Sequence, residues 1–205
     1  MVATATPAHA ANLSGSGASF PALLIEACKA PFAAASGHTF TYSSLGSGAG
    51  RSNSDKQVGD FWFTDAPHTG SSKRASIFHI PVVAAPIAVL HNVPNSKTLQ
   101  FSAATIAKIF SGEITMWNDP AIVADNNRVV KSVIYRKDEN GNAKKDSKGN
   151  PIVLRNTSKT IYYTLPAKPI KVVFRSDTSG TTNNFTRFMN GVAPSVWTKP
   201  ANDAF

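Results

Sequence analysis

Residues 12–37 read NLSGSGASFPALLIEACKAPFAAASG, and this stretch decides the fold. Asn12-Leu13 opens a short strand that ends in Ser14-Gly15-Ser16-Gly17-Ala18-Ser19-Phe20-Pro21. Pro21 suits the first turn of a helix, where a missing N–H costs nothing. Leu23, Leu24, Ala27, Pro31 and Phe32 then supply the apolar side of a helix over about 22–35. Pro31 is expected to bend or shorten it, and Gly37 to stop it. Cys28, on this helix, reads as a small buried hydrophobe.

The same strand, Gly/Ser loop, helix unit recurs further along. Thr39 to Ser43 is a β-run, and Leu45-Gly46-Ser47-Gly48-Ala49-Gly50 leads into a second helix. Val58 to Thr64 is a strand ending at Asp65-Ala66-Pro67. Ile170 to Phe174 reads as a buried strand with the exit loop Arg175-Ser176-Asp177-Thr178-Ser179-Gly180-Thr181-Thr182, followed by a helix over Asn183 to Asn190. Between these, Phe78 to Leu90 is an apolar run broken by Pro81 and Pro86, expected to form buried strands with a bend. Ser102 reads as the N-cap of a helix over Ala103 to Phe110, and Trp117-Asn118-Asp119-Pro120 as a turn with another helix start. Strands alternating with helices make the class α/β.

The chain has 205 residues, 42% hydrophobic and 16% charged, enough for one large domain or two small lobes and too apolar for wholesale disorder. One Cys excludes an intramolecular disulfide and a cysteine-cage metal site. The net charge of +9 is concentrated: residues 128–175 hold twelve Lys/Arg and three Asp/Glu, and the remainder cancels. Residues 130–168 are turn-rich around Lys137–Asn142 and Lys148–Pro151, with β-prone runs on either side. They read as a solvated, hairpin-like insertion, so the basic balance does not imply specific nucleic-acid binding. Met1–Ala10 ends in Ala8-His9-Ala10, which reads either as the remnant of a secretory signal or as a disordered tail. The expected division is a tail over 1–10, a first lobe over 11–80 and a second over 81–205.

Three Gly/Ser/Thr loops, at 15–21, 46–50 and 175–182, place backbone N–H groups and hydroxyls at helix N-termini. A fourth strand ends at Thr64-Asp65 without the glycines. First-turn N–H groups lack helical partners and the dipole is positive there, so such loops favour an anion. In open α/β sheets the ligand lies beyond the carboxyl ends of the strands. Arg175 adds one cation with a planar fork of donors. Asp65 makes sense in an anion site if the anion keeps a proton, because a carboxylate accepts from an O–H and repels an oxygen without one. Phosphate near neutral pH keeps a proton and sulfate does not. Catalytic patterns are missing: there is no G-x-S-x-G elbow, no Walker loop and no metal spacing among the five His residues.

Gly15-Ser16-Gly17-Ala18-Ser19-Phe20-Pro21, Gly46-Ser47-Gly48-Ala49-Gly50, Asp60-Phe61…Thr64-Asp65-Ala66-Pro67, Ile109-Phe110-Ser111-Gly112-Glu113-Ile114…Trp117-Asn118-Asp119-Pro120 and the Arg175–Thr182 loop occur in one order. Together they resemble the phosphate-binding proteins of high-affinity phosphate ABC transporters, of the type II periplasmic-binding-protein family. The resemblance implies a two-lobed α/β fold, incomplete at its C-terminal end, that closes over inorganic phosphate in an inter-lobe cleft. It implies contacts from Ser19 and the Phe20 N–H, with Gly17 and Ala18 shaping their loop, and from Ser47. Asp65 would accept the phosphate proton. Arg175, Ser179, Gly180 and Thr181 would come from the other lobe, with Asp177 orienting Arg175. It further implies export to the periplasm or outside the cell, delivery to ABC permease subunits, no cofactor, no metal and no catalysis. A further chain or segment would cover exposed sheet edges. Phe61-Trp62-Phe63 is bulkier than the family's small residues and is expected to crowd the cleft. The alternative is a structural or assembly protein, of a cell surface or virus particle, that keeps this fold.

Overall fold

A computed structural model describes residues 10–69, 71, 73–93 and 98–205; the tail reading of residues 1–10 lies outside it except at Ala10. The chain divides into two compact units, one of residues up to Val89 together with Val173–Phe205, the other Leu90–Val172. This corrects the expected boundary at 80/81 in both position and kind, since the last 33 residues join the first unit rather than the second.

The first unit is built on a parallel sheet of β1 (Asn12–Gly17), β2 (Thr39–Ser44) and β3 (Phe61–Phe63), ordered β2-β1-β3. Helix α1 (Ala22–Ser36) joins β1 to β2, and α2 (Ser47–Asp55) carries the chain from β2 past β1 to β3. The two helices cover opposite faces. Phe32 of α1 meets Phe40 edge-on at 5.3 Å, while Asn53 of α2 donates to Ser16 Oγ at 2.9 Å on the alternate side of the pleat. Pro31 lies within α1 without ending it, and Gly37 closes it in the left-handed region at φ 71°. Cys28 is exposed, against expectation. The covered stripe of α1 runs through Ile25, Lys29 and Phe32, and Cys28 stands one position outside it.

The aromatic bulk of β3 lies on the α1 face. Gly15 pairs with Tyr42 on one side and Phe61 on the other, and those rings stack at 6.3 Å. A Cβ at Gly15 would lie 2.1 Å from the Phe61 ring, so only glycine lets the two aromatics meet above β1. Trp62 points to the other face and donates its Nε1–H to Val58 O at 2.8 Å.

The second unit holds α3 (Ala103–Ser111), α4 (Pro120–Asn126), β4 (Arg128–Tyr135) and β5 (Val153–Ile161). Ser102 caps α3 through Thr105 N–H, and Asp119 caps α4 through Ala121 N–H with Pro120 in the first turn, as the sequence predicts. Val93, Leu99, Ile109, Ile114, Ile122 and Leu165 form its core, with Phe110 and Trp117 packed against them. Asn126 is fully buried and satisfied by Gln100 N, Gln100 O and Ile122 O. Strands β4 and β5 form an antiparallel hairpin with exposed faces and turns, in agreement with the predicted solvated insertion.

Two predicted buried strands are overturned. Phe78–Leu90 has no regular structure, and Phe78 and Leu90 are 85% and 92% exposed. Ile170–Phe174 carries no strand either, and Val173 is 82% exposed. Apolar content makes a segment willing to pair, but no described strand hydrogen-bonds to either one.

Candidate functional site

The carboxyl ends of β1, β2 and β3 deliver Ala18, Leu45 and Thr64 to one edge of the first sheet. The winding reverses here, because α1 leads to one neighbour of β1 and α2 to the other. Ligands of open α/β sheets bind at such a switch point. Helix α5 (Gly180–Val192), which starts at Gly180 rather than Asn183, brings its N-terminus to the same edge. Its buried stripe of Thr182, Thr186 and Met189 holds it in the first unit. The C-terminal segment holds it too: Asn202 N–H donates to Thr186 Oγ1 at 2.9 Å and Ser179 N–H to Asp203 O at 3.0 Å.

The predicted contact residues therefore all lie in this one unit. That corrects the assignment of Arg175, Ser179, Gly180 and Thr181 to the other lobe. Thr181 Oγ1 donates to Asp65 Oδ2 at 2.9 Å, and Asn184 Nδ2 to Asp65 O at 2.7 Å. Asp65 N–H donates to Ser47 Oγ at 3.1 Å, and Ser47 is only 2% exposed. A Cβ at Gly180 would lie 2.6 Å from Ser47 Oγ and 2.9 Å from Ala66 N. Glycine is needed there because α5 begins in contact with both loops. Gly48 N–H, in the first turn of α2, donates to Thr178 O at 3.1 Å.

Arg175 grips Asp177 with both arms of its guanidinium, Nε to Oδ1 at 2.7 Å and Nη2 to Oδ2. A Cβ at Gly46 would lie 2.7 Å from that Asp177 carboxylate and 3.3 Å from Arg175 Nη2, so the ion pair rests on the β2–α2 turn. The hydrogen bond to Asp177 is the main cause that holds the guanidinium pKa up; burial works against it, and the charges of Asp177 and then Asp65 add to it. The same hydrogen bond holds the Asp177 carboxyl below its usual range. Ser179, fully buried, caps α5 by accepting from Thr182 N–H at 3.2 Å. Ser19 and Phe20 leave β1 at this edge and are exposed.

The geometry adds residues that the loop motifs do not mark. Tyr42 donates its hydroxyl to Ala18 O at 2.7 Å; burial first, and the Asp65 charge second, push its phenol pKa up. Arg51 donates to Thr64 Oγ1 at 3.0 Å and pairs with Asp203, clamping the loop before Asp65 to the C-terminal segment. The signal for Asn184 is helical spacing, one turn after Thr181. Nothing local marks Asp203, which lies far from Arg51 in sequence.

As a whole the edge carries two helix N-termini, two hydroxyls and one guanidinium around a carboxylate. Arg175 is matched by Asp177, so Asp65 leaves a formal charge of −1 in this trio. Any pull on an anion at this edge would come from main-chain dipoles and hydroxyls more than from net charge.

Comparison with known proteins gives one family and a consistent set of relatives. A family model described as a PBP superfamily domain matches residues 2–204. The chain is 34% identical over 176 residues to phosphate-binding protein PstS 3 of Mycobacterium tuberculosis, covering 82% of this chain and 38% of the relative. The same figures hold for phosphate-binding protein PstS 3 of Mycobacterium leprae. Phosphate-binding protein PstS of Haemophilus influenzae is 28% identical over 189 residues, covering 91% of this chain and 46% of the relative. The chain thus spans less than half the length of these relatives. None of the three bears the name of a structural or virus-particle protein.

Proposed function

The chain belongs to the PBP superfamily, and from that premise we propose that it binds inorganic phosphate, in a protonated form, at the carboxyl edge of the β2-β1-β3 sheet. The observation that carries this reading is Asp65, set where the first turns of α2 and α5 meet, its carboxylate held by Thr181 and its main chain by Asn184 and Ser47. A lone carboxylate at two helix N-termini would repel an unprotonated oxyanion. It accepts a hydrogen bond from a P–O–H group. The first-turn N–H groups not already paired, the Ser47 hydroxyl and Arg175 then serve the remaining oxygens, while Thr181 gives its one hydroxyl proton to Asp65. Asp177 fixes the fork of Arg175, and Ser179 and Gly180 shape the start of α5. Ser19 and the Phe20 N–H close the site from the β1 loop, shaped by Gly17 and Ala18.

In the whole protein this site hands phosphate to ABC permease subunits from the periplasmic or extracellular side. No catalytic step and no cofactor is required. The names of the relatives support binding as the activity. Calorimetry of the chain with phosphate and with sulfate at neutral pH tests the reading. Phosphate is expected to bind, and sulfate to bind at least tenfold more weakly, because it leaves the carboxylate facing an oxygen with no proton between them. Equal affinity for the two anions, or none for phosphate, would overturn it.

A further inference from the structure

The β4–β5 ribbon stands apart from the phosphate reading. We propose that it is a peripheral docking element for an anionic lipid surface. The pairing register puts Val129, Val133 and Tyr135 with Val153 on one face, with Lys131, Asn156, Ser158 and Thr160 between them, and these four apolar side chains are all exposed. Arg155 and Lys159 point to the other face, beside Ile134 and Val130. The two strands contact each other and make no comparable contact with another element. A bare two-stranded ribbon is marginal in water, and this one exposes its apolar side.

Charge indicates the partner. Residues 128–161 hold nine Lys/Arg against three Asp/Glu. Two of those acids are tied to their own turns: Asp138 Oδ1 accepts from Asn140 N–H at 3.0 Å and Asn142 N–H at 2.9 Å. Asp146 Oδ1 likewise accepts from Lys148 N–H at 2.8 Å and Asn150 N–H at 2.9 Å. Lys144, Lys145 and Lys148 at the tip are exposed.

The four exposed apolar side chains, against one lysine on their face, then favour lipid over nucleic acid. A duplex needs the cations on the contacting face, against its phosphates. An interfacial element needs an apolar face for the headgroup boundary and long cationic side chains that reach lipid phosphates around its rim. No helix among the described residues is long and apolar enough to cross a membrane.

The test is co-sedimentation of the full chain with vesicles of mixed phosphatidylglycerol and phosphatidylcholine, and of phosphatidylcholine alone. The chain is expected to pellet with the anionic vesicles only, and to be released as salt rises within the screening range. Each tip lysine removed should weaken partitioning about fivefold, so K144Q/K145Q/K148Q together weaken it roughly a hundredfold. Val133→Ser with Tyr135→Ser tests the apolar face separately and should weaken partitioning at every salt concentration. All five side chains are exposed, so circular dichroism should show both variants folded. Several results would overturn the proposal: equal pelleting with neutral vesicles, no pelleting with anionic vesicles at low salt, tighter retention of duplex DNA than of anionic vesicles in the same buffer, or a dimer that buries the ribbon.

Discussion

Gly180→Ala separates a site assembled by close contact from an ordinary helix start. On general grounds this substitution stabilises, because it removes unfolded-chain entropy worth about 0.4–1 kcal/mol where the backbone is compatible. The structure reverses the sign. The new Cβ would lie 2.6 Å from Ser47 Oγ, 2.9 Å from Ala66 N and 3.0 Å from Asp65 Cβ. Ser47 cannot swing aside freely, since its oxygen accepts the Asp65 N–H at 3.1 Å and its side chain is buried. The other two atoms are backbone or next to it, so the start of α5 must back away. Overpacking of this kind costs about 1–3 kcal/mol, or about 3–10 °C in the thermal midpoint at this chain length. Retreat of α5 also stretches the Thr181–Asp65 bond from 2.9 Å. The bond to a charged acceptor is then lost, and phosphate affinity should fall at least tenfold. Thermal melts and calorimetry on the same preparation read both effects. A variant that melts higher than the parent, with phosphate affinity unchanged, would refute the reasoning.

Three further outcomes follow from the same geometry. Asp65→Asn turns an acceptor toward the ligand into an amide that also donates, so phosphate should weaken about tenfold or more while sulfate strengthens, read by competition calorimetry. Arg51→Met and Asp203→Asn each remove one partner of a half-buried pair and should each lower stability by about 1–3 kcal/mol in urea melts, with a double variant less destabilised than the sum. The carboxyls of Asp146 and Asp177 are held below the ordinary value of 3.8, Asp146 chiefly by the Asn150 N–H and Asp177 chiefly by Arg175. A carboxyl pKa depressed by folding stabilises above its unfolded value and ceases to as pH falls through the folded one. The 146–150 turn and the Arg175 grip should therefore stay intact at pH 4 and loosen only below it, followed by the carboxyl carbon shifts in NMR.

The three loops were legible because each is a local pattern. Gly37 in the left-handed region, Ser102 and Asp119 as caps, and the Asp138 and Asp146 turns depend only on neighbours a few residues away. The buried-strand readings of Phe78–Leu90 and Ile170–Phe174 failed for the opposite reason. Apolar composition sets the gain available from burial, while burial itself needs a partner strand from elsewhere in the chain. Cys28 failed on a smaller scale, one position outside the stripe that α1 turns toward its sheet. Arg51 and Asp203 were missed because nothing local distinguishes an ion pair across 152 positions of sequence.

By itself, the sequence determined the alternation of strand, Gly/Ser loop and helix, the donors and hydroxyls that those loops can offer, and the Asp65 carboxylate at the end of a further strand. These follow from backbone freedom at glycine, side-chain caps and hydrophobic period, all short-range. Only the tertiary structure decided that the segment from Val173 onward returns to the first sheet, so that Gly180 seats against Ser47 and Thr181 reaches Asp65. That return rests on the buried stripe of α5 and on contacts between residues more than a hundred positions apart, which no local rule contains.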